Sequence, residues 1–251
     1  MSAPLPSTKV EVSNNYVHVG ELSGSALYSA MWNALTPQCP DPKPGSNASC
    51  ASNGAVVKDV STVVGTEMTV GQPTFTIDDS FYKSTQERDA MLGAAVNAFQ
   101  QSASGNKSCS SVPWLELDGA CPHDKRAVSP PSGSCTGHAT LCNAANSISV
   151  QLNEANEAEA AWMNIDIAWE LGSGTPAWLE FACELIIDAI GALLTSAAPE
   201  VAPEDWALLG EVLPCCEGSC IGGGGDSSAD AAAAAAHATS QPPLSPSRPA
   251  L

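Results

Sequence analysis

The chain has 251 residues, 44% hydrophobic and 14% charged, so it carries enough apolar surface for a packed core and is not a generally disordered polymer. Lys and Arg total 9 against 27 Asp and Glu, a net charge of -18. A surface of that sign repels phosphate backbones and anionic lipid heads, which argues against nucleic acid and against membrane insertion.

Residues 1–8 read as a flexible N-terminus and 9–118 as a first half in the order β-α-β-β-α-β. Val10–Gly20 alternates loosely and stops at a glycine, as a strand does. Ser23–Leu35 places Leu27, Met31, Ala34 and Leu35 at helical spacing, and Pro37 ends it. Residues 37–54 form a Pro/Gly/Ser/Asn loop bracketed by Cys39 and Cys50. Ala55–Val64 and Thr66–Ile77 are rich in Val, Thr and Ile and read as two strands joined at Gly65. Ser84 and Glu87 form a capping box for a helix over 85–102, with Met91, Ala95 and Phe99 on one face. Val112–Leu117 is a short strand.

Residues 119–146 read as an exposed, Cys-containing loop holding Lys125-Arg126, which resembles a kexin-type processing site. A second half, 147–220, opens with the strand Ser147–Leu152 and a polar loop, Asn153–Glu159. Thr175 and Pro176 then start a helix whose Trp178, Ala182, Leu185, Ala189 and Leu193 share one face, and a second helix is expected over about Pro203–Leu213. Residues 221–251, with a glycine run, an alanine run and a Pro/Ser-rich end, read as a disordered low-complexity tail.

The 10 cysteines, Cys39, Cys50, Cys109, Cys121, Cys135, Cys142, Cys183, Cys215, Cys216 and Cys220, point to an oxidising compartment. Short loops favour the pairs Cys39–Cys50, Cys109–Cys121 and Cys135–Cys142, with Cys183 joining the cluster at 215–220. Four cysteines precede Lys125-Arg126 and six follow it, so each half could satisfy its own sulfurs. Asn47-Ala48-Ser49 and Asn106-Lys107-Ser108 are glycosylation sequons. Met1–Gly20 has no apolar signal segment, so the expectation is a piece of a longer secreted precursor, with a cytoplasmic protein carrying free thiols as the alternative. No CxxC pair occurs, and His123, His138 and His237 lie in loop-like or low-complexity stretches, so neither a metal nor another cofactor is expected.

Residues 161–171, AWMNIDIAWEL, are the stretch closest to a catalytic signature. Met163, Ile165, Ile167, Trp169 and Leu171 alternate with Asn164, Asp166, Ala168 and Glu170, the period of a strand with one buried face. Asp166 and Glu170 share the open face, but at ~3.3 Å per residue their backbones are roughly 13 Å apart. A glycosidase pair needs about 5–10 Å. Against the family-18 chitinase pattern D-x-x-D-x-D-x-E only Asp166 and Glu170 match, because Ala168 and Met163 occupy the other acidic positions. There is no G-x-S-x-G elbow, P-loop, GxGxxG or HExxH. A Ser-His-Asp triad stays open, since its members need not be near in sequence. Among the tryptophans, Trp114 is the one placed to stack a sugar, and Trp169 belongs to the core by parity.

The stretch Tyr16-Val17-His18-Val19-Gly20-Glu21-Leu22-Ser23-Gly24, and the run Ala202-Pro203-Glu204-Asp205-Trp206 leading to Cys215, resemble the C-terminal region of large secreted fungal family-18 chitinases of the killer-toxin-like group, over about residues 9–220. The resemblance implies a non-catalytic region, secreted beside a chitin-degrading domain and matured at Lys125-Arg126. No active-site residue is carried over. The expected fold is α+β, a mixed or antiparallel sheet with helices packed on one side and disulfides pinning the loops. The expected function is a secreted, non-catalytic accessory or interaction region acting on cell-wall polysaccharide or a partner protein. The alternative is an extracellular glycosidase whose acids converge only in the fold.

Overall fold

A computed structural model describes residues 7–104, 108–117, 134–154, 157–170, 211–216 and 219–220. In chain order the elements are β1 (Ser7–Val12), β2 (Tyr16–Gly20), α1 (Ser25–Leu35), β3 (Ala55–Val56), β4 (Val60–Val64), β5 (Glu67–Phe81), α2 (Thr85–Ser102), β6 (Cys109–Leu117), β7 (Ser134–Ala145), β8 (Ser147–Glu154), β9 (Glu157–Glu170), β10 (Glu211–Cys216) and β11 (Ser219–Cys220). The fold is α+β, as expected, and mostly sheet. The helices expected from Thr175 and the tail from residue 221 lie outside the described residues. So do Asn106, Cys121, Lys125, Arg126 and Cys183.

The large sheet runs β11-β10-β1-β8-β9-β5-β3, with β4 paired to the first half of β5. It is mixed, because β1 pairs β10 in parallel and β8 antiparallel. Alternation along the strands aligns apolar rows across its inner face. Val12, Ile148, Ile165 and Ile77 form one row, and Val10, Val150 and Met163 the next. All seven are at most 1% exposed. β1 starts at Ser7, earlier than the sequence suggests, and Thr8 is wholly buried. The run Val10–Gly20, read as one strand, breaks after Val12, and its two parts enter different sheets.

Both helices pack on this inner face, α2 against β1, β8 and β9 and α1 against β5 and α2. The capping box forms in a shifted version. Ser84 Oγ accepts from Glu87 N at 3.1 Å, and the Glu87 carboxylate accepts from Lys83 N rather than from Ser84 N. α2 is buried around its whole circumference from Ala90 to Phe99, not along one face. Its small residues Gly93, Ala94, Ala95 and Ala98 let neighbours close in on every side.

The second sheet, β2-β7-β6, holds the clearest departure from expectation. The stretch 119–146 is not wholly a loop: Ser134–Ala145 is a twelve-residue strand whose Leu141–Ala145 end is buried. One face of this sheet, with Cys142 and Ala144, joins the main core. The other, with Ala139 and Leu141, packs with Trp114 and with Val63 of β4 into a small separate cluster. Likewise the helix expected over Pro203–Leu213 does not reach its end, since Glu211 begins β10. Beta-sheet pairing with β1 overrides the local helical pattern there.

Cys39 and Cys50 are bonded, as expected. Cys109 is bonded to Cys142, which replaces the expected pairs Cys109–Cys121 and Cys135–Cys142. The cause is register: β6 and β7 run antiparallel with Cys109 directly opposite Cys142, so spatial neighbours win over sequence neighbours. Cys215 is buried and disulfide-bonded. Since the Cys109–Cys142 bond spans Lys125-Arg126, the two halves do not each satisfy their own sulfurs.

Candidate functional site

Two constellations of polar side chains are assembled by this topology. The first lies on the outer face of the large sheet. Here the alternation holds from Met163 to Ala168: Met163, Ile165 and Ile167 are buried while Asn164 and Asp166 are half-buried and Ala168 is exposed. The Glu170 side chain lies outside the described residues. Asp166 meets Asp78, which a bulge between Ile77 and Asp79 adds to β5. The Asp78 carboxyl is held above the ordinary carboxylate range, first by its hydrogen bond to Asp166, then by partial burial and by the charge of Asp166. Two carboxyls in hydrogen-bond contact are closer than the about 5–10 Å that glycoside cleavage leaves between its acids for the water or sugar carbon.

Around this pair the sheet register sets out rows of polar groups. Asp79, Asn164, Ser149 and Glu11 form one row, and Phe81, Trp162, Gln151 and Lys9 the next. Each of these residues is half-buried or exposed. Trp162 stacks on Phe81 with centroids 4.8 Å apart and donates Nε1–H to Asp79 Oδ2 at 2.9 Å. The outer face is thus a ladder of donors and acceptors with one aromatic pair at its end.

The second constellation lies where β2, β4, β7 and β9 meet. His18 Nε2 is 2.8 Å from Thr62 Oγ1, and His18 Nδ1 is 3.4 Å from Asn143 Oδ1. In the neutral ring Nδ1–H donates to the Asn143 carbonyl and Nε2 accepts from the Thr62 hydroxyl. Burial pushes the imidazole pKa below its ordinary value, and the hydrogen bond to Asn143 opposes this only in part. The edge contact of His18 with Trp169, centroids 5.1 Å apart, completes the group. The order hydroxyl, imidazole, amide matches a nucleophile, its base and an orienting group. Thr62, however, is 0% exposed, so its hydroxyl cannot meet a substrate carbonyl. The arrangement orients and joins strands. Sequence reasoning passed over His18, although a lone histidine alternating with Val17 and Val19 was the available signal.

Trp114, a minor candidate for stacking a sugar, is 7% exposed, with its indole laid across Gly137. It cannot offer a ring face, because that face packs the small cluster. Asn47 is exposed in the loop closed by Cys39–Cys50. His138 is exposed and in contact with Ser111 Oγ through Nδ1. Two cavities of about 440 and 470 Å3 lie beside Ser104 and Trp114, and among the described residues neither is lined by a carboxylate. Among the described residues no three His, Cys, Asp or Glu side chains are grouped to hold a metal ion. Among them, too, no helix is long and apolar enough to cross a membrane.

No protein-family model matches the sequence, no curated protein is significantly similar to it, and no solved structure matches its fold.

Proposed function

We propose that the chain is a secreted, disulfide-tied accessory or interaction region, non-catalytic, that works at cell walls beside a chitinase or killer-toxin-like partner and binds through the outer face of its large sheet. The observation that carries this reading is the ladder on that face. Its rows of carboxylate, amide and hydroxyl groups repeat across four strands and end at the stacked Trp162–Phe81 pair. A broad, hydrogen-bonding surface with an aromatic end suits an extended polymer or a protein surface better than a small substrate, which is bound in a concave site. The exposed Asn47 sequon and the cystines suit extracellular life. The glycosidase alternative has one feature in its favour, the meeting of Asp78 with Asp166, and that contact is too close for the chemistry.

The test is co-sedimentation of the purified protein with insoluble chitin and with β-glucan, beside the double variant Trp162→Ala, Asp166→Ala. The altered side chains are partly exposed, so the fold is expected to persist. Retention of the wild type, loss of it in the variant, and no sugar released from chitin oligomers would support the reading. Equal retention of both proteins, or measurable turnover, would overturn it.

A further inference from the structure

We propose that His18 is an acid-released clasp that fastens the three-stranded sheet to the β4–β5 hairpin. The proposal stands on where the ring sits. His18 belongs to β2, an edge of the three-stranded sheet, while Thr62 lies in β4, which pairs only with β5 among the described strands. Asn143, in the central strand of the small sheet, fixes the ring from the other side. The hairpin is also joined to this sheet by the small apolar cluster of Val63, Trp114, Ala139 and Leu141, with Met68 and Val112 against it, by the Trp169 indole between Gly20 and Gly71, and by the backbone bonds from Glu21 N to Ser61 O and from Leu115 N to Thr66 O.

Protonation sets two costs against this join. The first is a proton conflict. The imidazolium must donate from both nitrogens, so the Thr62 hydroxyl has to reverse its bond and find a new acceptor while wholly buried. The second is an uncompensated charge. β4 carries no titratable side chain. On β7, His138 is exposed and in contact with Ser111, and Cys142 is in its disulfide. On β9, Trp169 faces the ring while Asp166 is engaged with Asp78 on the outer face. On β2 itself, the other titratable side chain is the Tyr16 phenol. Among the described residues, burial and Asn143 are the influences on the ring, and neither is an anion.

The sign follows. The closed state holds His18 neutral below the value an open imidazole has, about 6.5. The clasp is therefore at full strength above that value. It weakens by about one proton's worth, tenfold in the opening constant per pH unit, as pH falls from there toward the closed-state value.

Amide hydrogen exchange of the intact, oxidised chain from about pH 7.5 to about pH 5 reads this directly, and the His18→Gln variant separates the imidazole from every other titrating group. After correction for the intrinsic pH dependence of exchange, protection of residues 60–64 should fall up to tenfold per pH unit relative to that of β8. The variant His18→Gln, which keeps polar contacts but cannot titrate, should abolish the step. A wild-type ratio that stays flat, or a step that persists in His18→Gln, overturns the clasp. Should that variant fail to fold, NMR titration of the wild-type imidazole decides: a midpoint below the ordinary value, with the β4 amides shifting at the same midpoint, supports it. A midpoint at or above that value overturns it.

Discussion

Trp169 sits on the inner side of β9 with its indole wedged between two glycines of other strands. A Cβ at Gly20 would lie 2.9 Å from Cη2 of the ring, and one at Gly71 would overlap it. Gly20 also has φ +61°, a conformation that disfavours any side chain. The slot is so close that Nε1 is buried without a partner among the described residues, which costs about 1–3 kcal/mol. Trp169→Phe removes that donor along with some ring volume, and the two effects oppose each other. Urea unfolding should place it within about 1 kcal/mol of the wild type, whereas Gly71→Ala should lose about 2–3 kcal/mol by overpacking. A loss above about 3 kcal/mol for Trp169→Phe would mean that the indole N–H is bonded in solution. The inward side of Trp169 was legible from parity alone; the slot was not, because both glycines come from distant strands and a glycine carries no hydropathy signal. Asp78 is a parallel case. Alternation put Asp166 outward, but the bulge that brings Asp78 to it cannot be read from a period of two.

At the scale of elements, local signals decided well where they were strong. α2 spans the residues its capping box and periodicity predict, and its end depends on one hydroxyl. Ser84→Ala should lower stability by about 1 kcal/mol with the midpoint moving and the denaturant slope unchanged; no loss would mean that Glu87 and Lys83 carry the cap alone. β7 shows the opposite. Its strand residues include Gly137 and several Ala, Ser and Thr, and lie beside a Pro/Ser-rich run, so composition pointed to a loop. A weak signal was there, since Ala139, Leu141 and Asn143 alternate with His138, Thr140 and Cys142. What makes it a strand is its position between β2 and β6, with backbone partners on both sides. The cystine partners were hidden for the same reason. Loop length ranks candidates in sequence, while Cys109 and Cys142 are 33 residues apart and face each other across the ladder.

For the molecule as a whole, the two halves read from the sequence are interleaved. β1 and β5 from the first half border β8 and β9 from the second, and the Cys109–Cys142 bond crosses the dibasic pair. Cleavage after Arg126, by trypsin under native conditions or by a kexin-type protease, should therefore leave one species on a non-reducing gel and two after reduction. Two separate fragments without reductant would contradict the cystine. β1 carries a further consequence. It is an interior strand, third from the β11 end of the order, flanked by β8 on one side and by β10, about two hundred residues later, on the other. A strand near residue 10 must wait for one near residue 214 before its second edge is closed. Synthesis thus runs well ahead of completion, with a bare apolar ribbon on view that a chaperone or a neighbouring chain could seize.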